Sequence, residues 1–110
     1  MAIFIKPGDA FYLPVTLRCG GAMLTDPTAL DTVEISLGAL RKLWCADGSG
    51  TVRLEDGTFF MPISQTESFA MPAGGVLPLD VRVKFAGGGV LGSLRPQRVY
   101  VRETTSGEVI

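Results

Sequence analysis

An all-β protein, built as a sandwich or barrel of short antiparallel strands, is what the sequence predicts. Three observations carry this expectation. Apolar residues recur at every second position in run after run. Turn-forming residues fall between the runs. At 110 residues the chain is one domain, 1–110, with material for a single core.

Taken in order, Ile3 to Ile5 forms a short first strand that Pro7-Gly8-Asp9 ends. Phe11, Leu13, Val15 and Leu17 then share one face of a longer strand, with Pro14 inside the run. Proline donates no backbone hydrogen bond, so Pro14 belongs on an edge or at a bulge. Cys19 to Leu30 reads as a long loop in which Asp26-Pro27 starts a turn. Val33, Ile35 and Leu37 alternate next, and Val52 and Leu54 alternate with Thr51 and Arg53. The segment "TVRLE" is bracketed by Asp47-Gly48 and Asp56-Gly57, pairs favoured where a tight turn needs positive φ. Phe59 and Phe60 are neighbours in a strand, so one points inward and the other outward.

Ser64 to Met71, "SQTESFAM", interrupts the strands. Ser64 and Glu67 stand at capping-box spacing and Pro72 stops the segment, which predicts one or two helical turns. Leu79, Val81, Val83 and Phe85 then alternate with Asp80, Arg82 and Lys84, and Pro78, just before Leu79, belongs on an edge, at a bulge or at a strand start. Val99 and Val101 alternate with Arg98, Tyr100 and Arg102 in the last one. Each alternation describes a strand with one face in a core and the other in water.

Between these two strands lies "KFAGGGVLGS", where Gly87, Gly89 and Gly92 satisfy the dinucleotide-binding pattern G-x-G-x-x-G. That motif needs a helix opening at its glycines, because the helix N-terminus holds the pyrophosphate. Pro96 breaks any such helix, and the residues that follow are too few for a crossover unit. The stretch therefore reads as the glycine turn of a β-hairpin, and no cofactor is expected.

Composition narrows the functions. A formal net charge of -1 with mixed signs argues against non-specific attraction to nucleic acid. No apolar run approaches the roughly 20 residues that span a bilayer. The opening "MAIFIKPGDAF" lacks a secretory apolar region, so synthesis and residence in the cytoplasm are expected. Cys19 and Cys45 are the only cysteines and there is no histidine, which leaves no zinc set of the usual kind. In a reducing compartment the two thiols are expected to stay unpaired. Without histidine there is no Ser-His-Asp or Cys-His pair. Glu55 and Asp56 adjoin at a turn as ordinary solvated side chains, and Asp9, Asp47 and Asp56 form no calcium-loop pattern. No catalytic, cofactor-binding or metal-ligating residue is assigned, and the chain is expected not to be an enzyme.

Aromatic residues remain. Trp44, Phe59, Phe60, Tyr12 and Tyr100 are candidates for a sugar-stacking platform, and Tyr100 between Arg98 and Arg102 suits a protein interface. The candidate interaction surface is Trp44, Phe60, Arg98, Tyr100 and Arg102.

Several stretches carry a family resemblance: Ser64-Gln65-Thr66-Glu67, Leu79 to Lys84, Gly88 to Ser93, Gly107 to Ile110, and the opening "IKPGDAFYLPVTL". Together they resemble small Ig-like β-sandwich proteins of phages and prophages of Gram-positive bacteria. Those chains have an "LTQEET"-like corner, a strand ending in "QIRVK", a glycine turn with "VLAS" and a close near "GVI". Asp80 departs from their glutamine and Gly92 from their alanine. The resemblance implies an antiparallel Ig-like β-sandwich of seven or eight strands, with one short helical turn near residues 64–71. It further implies a structural, tail-associated virion protein that associates with itself and with other phage structural proteins. It brings no catalytic residues. A carbohydrate-binding module using Trp44, Phe60 or Tyr100 is the competing expectation.

Overall fold

The computed structural model describes residues 3–19, 22–23, 27–72, 74–92 and 97–101. In chain order its strands are β1 (Ile3–Ile5), β2 (Phe11–Thr16), β3 (Arg18–Cys19), β4 (Ala22–Met23), β5 (Leu30–Leu37) and β6 (Leu40–Cys45). Then follow β7 (Arg53–Glu55), β8 (Thr58–Ile63), helix α1 (Gln65–Phe69), β9 (Val76–Phe85), β10 (Val90–Gly92) and β11 (Gln97–Val101). A 3-10 turn, Pro27–Ala29, leads into β5.

Two sheets pack face to face. The larger runs β1-β11-β9-β5-β6, and β10 also pairs with β9. The smaller runs β2-β8-β7. Since β10 and β11 pair with successive stretches of β9, they act as one interrupted strand, and the sandwich has eight. Among the described residues every ladder is antiparallel except β1 on β11. The smaller sheet is the B-E-D order of an immunoglobulin sandwich, and β11-β9-β5-β6 is its G-F-C sheet extended by C′. The Ig-like expectation is met at the level of topology.

Alternation built the core as expected. Leu13 and Val15 of β2, Val33, Ile35 and Leu37 of β5, Phe59, Met61 and Ile63 of β8, and Val99 and Val101 of β11 are all buried. Turn chemistry agrees. Asp56 (φ 49) and Gly57 (φ 77) join β7 to β8 as a two-residue turn with both central residues at positive φ, the type I′ requirement. The glycine-rich stretch is a hairpin: Gly88 (φ 99) turns the chain, and Phe85 N–H donates to the Gly89 carbonyl.

Three features depart from the sequence expectation. The loop from Cys19 to Leu30 contains a small ladder, β3 on β4, as well as the 3-10 turn. Strand β6 has no counterpart in the sequence pattern, because "LRKLWC" does not alternate cleanly. Pro78 is not at a strand start but is the third residue of β9. The β5 ladder ends one residue short of it, at the Leu79–Leu37 pair, so its missing N–H breaks nothing. Its carbonyl, on the same side, accepts from Gly38 in the β5–β6 turn.

Helix α1 forms where the capping box predicted. The Ser64 side chain accepts from the Glu67 N–H, and the Glu67 carboxylate accepts from the Ser64 N–H. Ser68 of this helix is fully buried: its hydroxyl accepts from Gly8 N–H at 2.8 Å and faces the Asp9 carbonyl at 2.9 Å. Gln65 Nε2 donates to the Gly8 carbonyl. The corner between the two sheets thus holds the β1–β2 turn in place.

Candidate functional site

The inward-outward alternation of the smaller sheet sorts its side chains. Phe59 and Met61 go to the core, so Phe60 and Pro62 turn outward. Register then decides what joins them. Pro14 stands opposite Phe60, Tyr12 opposite Pro62, and Arg53 opposite Phe60 from the other side. The outward face of β2-β8-β7 is therefore Tyr12, Pro14, Phe60, Pro62 and Arg53, rimmed by Thr16, Thr58 and Glu55.

The backbone allows both prolines here for one reason. Antiparallel pairs alternate between hydrogen-bonded and non-hydrogen-bonded classes, so Tyr12–Pro62 and Pro14–Phe60, two residues apart, belong to the same class. It is the non-hydrogen-bonded one, where neither missing N–H is needed for the β2–β8 ladder. Pro14 thus directs its backbone to the free edge of β2, and Pro62 to the β7 side of β8, past the Arg53–Phe60 pair where β7 begins. There the Pro62 carbonyl accepts from Lys42 Nζ.

Arg53 organises the face. Its guanidinium lies 5.2 Å from the Tyr12 ring centroid and 5.8 Å from that of Phe60. Its Nε also pairs with Glu55 at 3.2 Å. Tyr12 is 54% exposed and Phe60 half-buried, while the Arg53 and Glu55 side chains are both more than half exposed. The arrangement is an aromatic–proline platform with one cation over it and one carboxylate beside it.

Of the five residues expected to form an interaction surface, the three whose side chains are described, Trp44, Phe60 and Tyr100, do not come together. Phe60 belongs to this platform. Trp44 stands opposite Val33 on the inward side of β6 and packs edge-on against Phe59, with centroids 5.6 Å apart and planes at 81°. Its ring links the two sheets. Tyr100 is 36% exposed on the outward face of the larger sheet, opposite Val76, itself 50% exposed. The Arg98 side chain and the whole of Arg102 lie outside the described residues, so the arginine-flanked tyrosine is not assessed. Trp44, Phe60 and Tyr100 occupy three different surfaces. Tyr12 is expected only as one of the scattered stacking aromatics, and Arg53, Pro14 and Pro62 are not expected at all; the signal that joins them is the strand register, which a single sequence does not print.

Elsewhere the outward face of the larger sheet is laced with charge. Glu34 pairs with Arg41 at 2.8 Å and Asp31 with Lys84 at 3.8 Å, and Arg82 is exposed between them. Among the described residues no group of three or more histidine, cysteine, aspartate or glutamate side chains could hold a metal ion. Cys45 is a free, half-buried thiol, and the Cys19 side chain lies outside the description. A shallow groove of about 430 Å³ runs along β6, between Lys42 and Thr51, and is open to solvent. Glu55 and Asp56 adjoin no cleft; Glu55 is committed to Arg53.

Partial burial raises the pKa of Glu67, but hydrogen bonds from Lys42 and Ser64 and the Lys42 charge outweigh it, so the carboxyl lies below its ordinary value. Lys42 and Glu67 meet at 2.8 Å with side chains largely shielded from water. At the start of the β6–β7 connection, the Ser49 hydroxyl and N–H hold the Asp47 carboxyl below its usual range. Both are structural arrangements: each charge is satisfied within the fold.

In comparisons with known proteins, no family model and no curated protein matches the chain. Fold and surface together define a class: an Ig-like β-sandwich with a compact aromatic–proline–arginine platform on its smaller sheet. No helix among the described residues is long and apolar enough to cross a membrane.

Proposed function

We propose that the chain is a non-catalytic structural or assembly protein of a phage or prophage, associated with the tail and acting through protein–protein contacts. The sequence resemblance supplies the biological setting. The observation that carries the contact role is the exposed platform of Tyr12, Phe60 and Arg53 between Pro14 and Pro62. Interfaces are enriched in tyrosine, phenylalanine and arginine, and a small rigid β-face presents them at low entropic cost.

The fold favours face packing over strand addition as the mode of contact. Free sheet edges invite strand pairing unless something blocks them. Edge strand β2 carries Pro14; β7 is three residues long and carries Arg53 and Glu55; β1 is three residues long. Edge strand β6 is lined by the connection after it, where Val52 N–H donates to the Leu43 carbonyl.

The test is co-expression with the proteins encoded by the neighbouring genes, which this reading expects to include capsid, tail or baseplate proteins, followed by affinity purification and identification of what is retained. Retention of a named virion protein is the expected result. A strict monomer that retains none of them overturns the proposal.

Glycan binding is the second reading, and the observation in its favour is that Tyr12 and Phe60 share one outward face. Sugar rings stack on open aromatic faces, however, and Arg53 lies over both rings. Binding on a glycan array that Tyr12→Ala abolishes would establish it over the first.

A further inference from the structure

We infer that the open end of edge strand β6 receives an extended peptide segment, paired to Arg41 through its main chain and carrying an acidic side chain opposite it. The inference goes beyond the platform and rests on the ladder geometry of β6. A strand residue sends its N–H and C=O to the same side, and the side changes at each step. The Leu43 carbonyl accepts from Val52 N–H and the Cys45 carbonyl from Gly48 N–H, so both residues face away from β5. Arg41, two residues earlier, faces the same way, while Lys42 and Trp44 turn theirs into the β5 ladder.

The strip that lines this edge is short. Val52 stands against Leu43, and a continued strip would set Leu54 against Arg41. By then the chain has crossed to the smaller sheet, where Leu54 pairs with Phe59. Among the described residues no group bonds the Arg41 N–H or carbonyl. The groove of about 430 Å³ opens at this place, between Arg41, Lys42 and Leu43 of β6 and Ser49, Gly50 and Thr51 of the strip. Free donors and acceptors on a strand edge are matched by another extended main chain, which adds as a strand. The edge of β2 carries a proline against such pairing, and β6 has none.

Charge selects the side chain. The residue paired with Arg41 sets its side chain beside the guanidinium, on the outward face of the larger sheet. Arg41 meets Glu34 through Nη2, and its side chain is still 63% exposed, so guanidinium donors remain for a second carboxylate. The groove lining holds two cations and no carboxylate, and Lys42 is committed to Glu67. An aspartate or glutamate on the incoming strand therefore completes the pair, and a lysine there is repelled. Two main-chain hydrogen bonds and one exposed ion pair make a weak site, with a dissociation constant on the order of 1 mM.

Amide hydrogen exchange and proton–nitrogen NMR on the isolated chain test this. In the free protein the Arg41 amide is expected to exchange at least about tenfold faster than those of Lys42 and Trp44, which the β5 ladder holds. The probe is a capped five-residue peptide of threonine and valine with glutamate at its centre, titrated to about 5 mM. Its addition should shift the Arg41 and Leu43 amide resonances and slow exchange at Arg41. The same peptide with lysine at the centre, or with the glutamate nitrogen methylated, should bind at least about fivefold more weakly. Arg41→Pro removes the donor without touching the β5 ladder, so it should keep Tm within a few degrees and abolish the shift at Leu43. Arg41→Glu should reverse the preference toward the lysine peptide. An Arg41 amide as protected as Lys42 in the free protein overturns the inference. So do resonances that the glutamate peptide leaves unmoved, equal binding by the three peptides, or binding that Arg41→Pro leaves intact. None of these readouts involves a virion protein, so failure of this site and failure of the assembly role are distinguishable.

Discussion

Ser68 shows how much one hydroxyl can organise. Completely buried, it accepts from Gly8 N–H and shares its proton between the carbonyls of Asp9 and Gln65. Gly8 itself sits at φ 96 with the Phe69 ring where a Cβ would be, 2.9 Å away. Replacing Ser68 with alanine takes this partner from a part-buried N–H and from the Asp9 carbonyl, and an N–H left orphaned out of water costs about 1–3 kcal/mol. Ser68→Ala is expected to lower Tm by at least about 4 °C, with an unchanged denaturant m-value. Two glycines offer a sharper contrast. A Cβ on Gly50 would stand 2.2 Å from the Leu43 carbonyl oxygen, the same oxygen that accepts from Val52, whereas a Cβ on Gly87 would meet nothing within 4 Å. Gly50→Ala should therefore destabilise by about 1–3 kcal/mol and loosen the strip that lines β6. Gly87→Ala should be neutral or stabilising by up to about 1 kcal/mol, because it only restricts the unfolded chain. Paired urea titrations distinguish the two; equal effects would mean that the approach at Gly50 is not what the fold depends on.

At the scale of elements, β6 and α1 depend on each other through Lys42 and Glu67. Lys42 stands opposite Ile35 on the inward side of β6, where alternation alone would demand an apolar residue. Its ammonium crosses to the smaller sheet, donating to the Pro62 carbonyl and to Glu67 Oε1. Glu67 in turn closes the capping box of α1, so one carboxylate serves a helix cap and an inter-sheet tie. A carboxyl whose folded pKa is lowered binds protons more readily in the unfolded chain. Its stabilisation is complete above the ordinary value of 4.5 and is lost as pH falls through the folded value. Wild-type stability should fall as pH drops below about 4.5, and Glu67→Gln should start lower at pH 7 and show a shallower decline. Tm measured from pH 7 to pH 3 on both proteins checks this; parallel curves would mean that other carboxylates govern the acid response. The same pair explains why β6 was illegible. Its alternation is broken by a lysine whose partner lies 25 residues downstream, and no local pattern announces such a partner. Strands whose apolar faces meet only the core, such as Val33-Ile35-Leu37, were legible from two-residue periodicity, and α1 was legible because its cap is written within four residues. The platform was half legible. Alternation turned Phe60 outward, but Tyr12 and Arg53 reach it only through strand register, which is set by tertiary pairing.

Over the whole molecule, the sheet edges decide whether further strands can be added. A sandwich with open edges risks adding strands without limit. Edge strand β2 is the longest edge of the smaller sheet, with six residues, and its only interruption is Pro14. Because Pro14 belongs to a non-hydrogen-bonded pair, its missing N–H falls on the free edge and not on the ladder with β8. Valine there would keep the β2–β8 ladder intact and provide the edge with the donor it lacks. Pro14→Val is expected to retain Tm within a few degrees, since its side chain is exposed and valine favours strands. It should nevertheless aggregate faster than wild type on prolonged incubation, with growth in light scattering and thioflavin fluorescence. A Pro14→Val protein as resistant to aggregation as the wild type would mean that the edge is closed by something other than the proline.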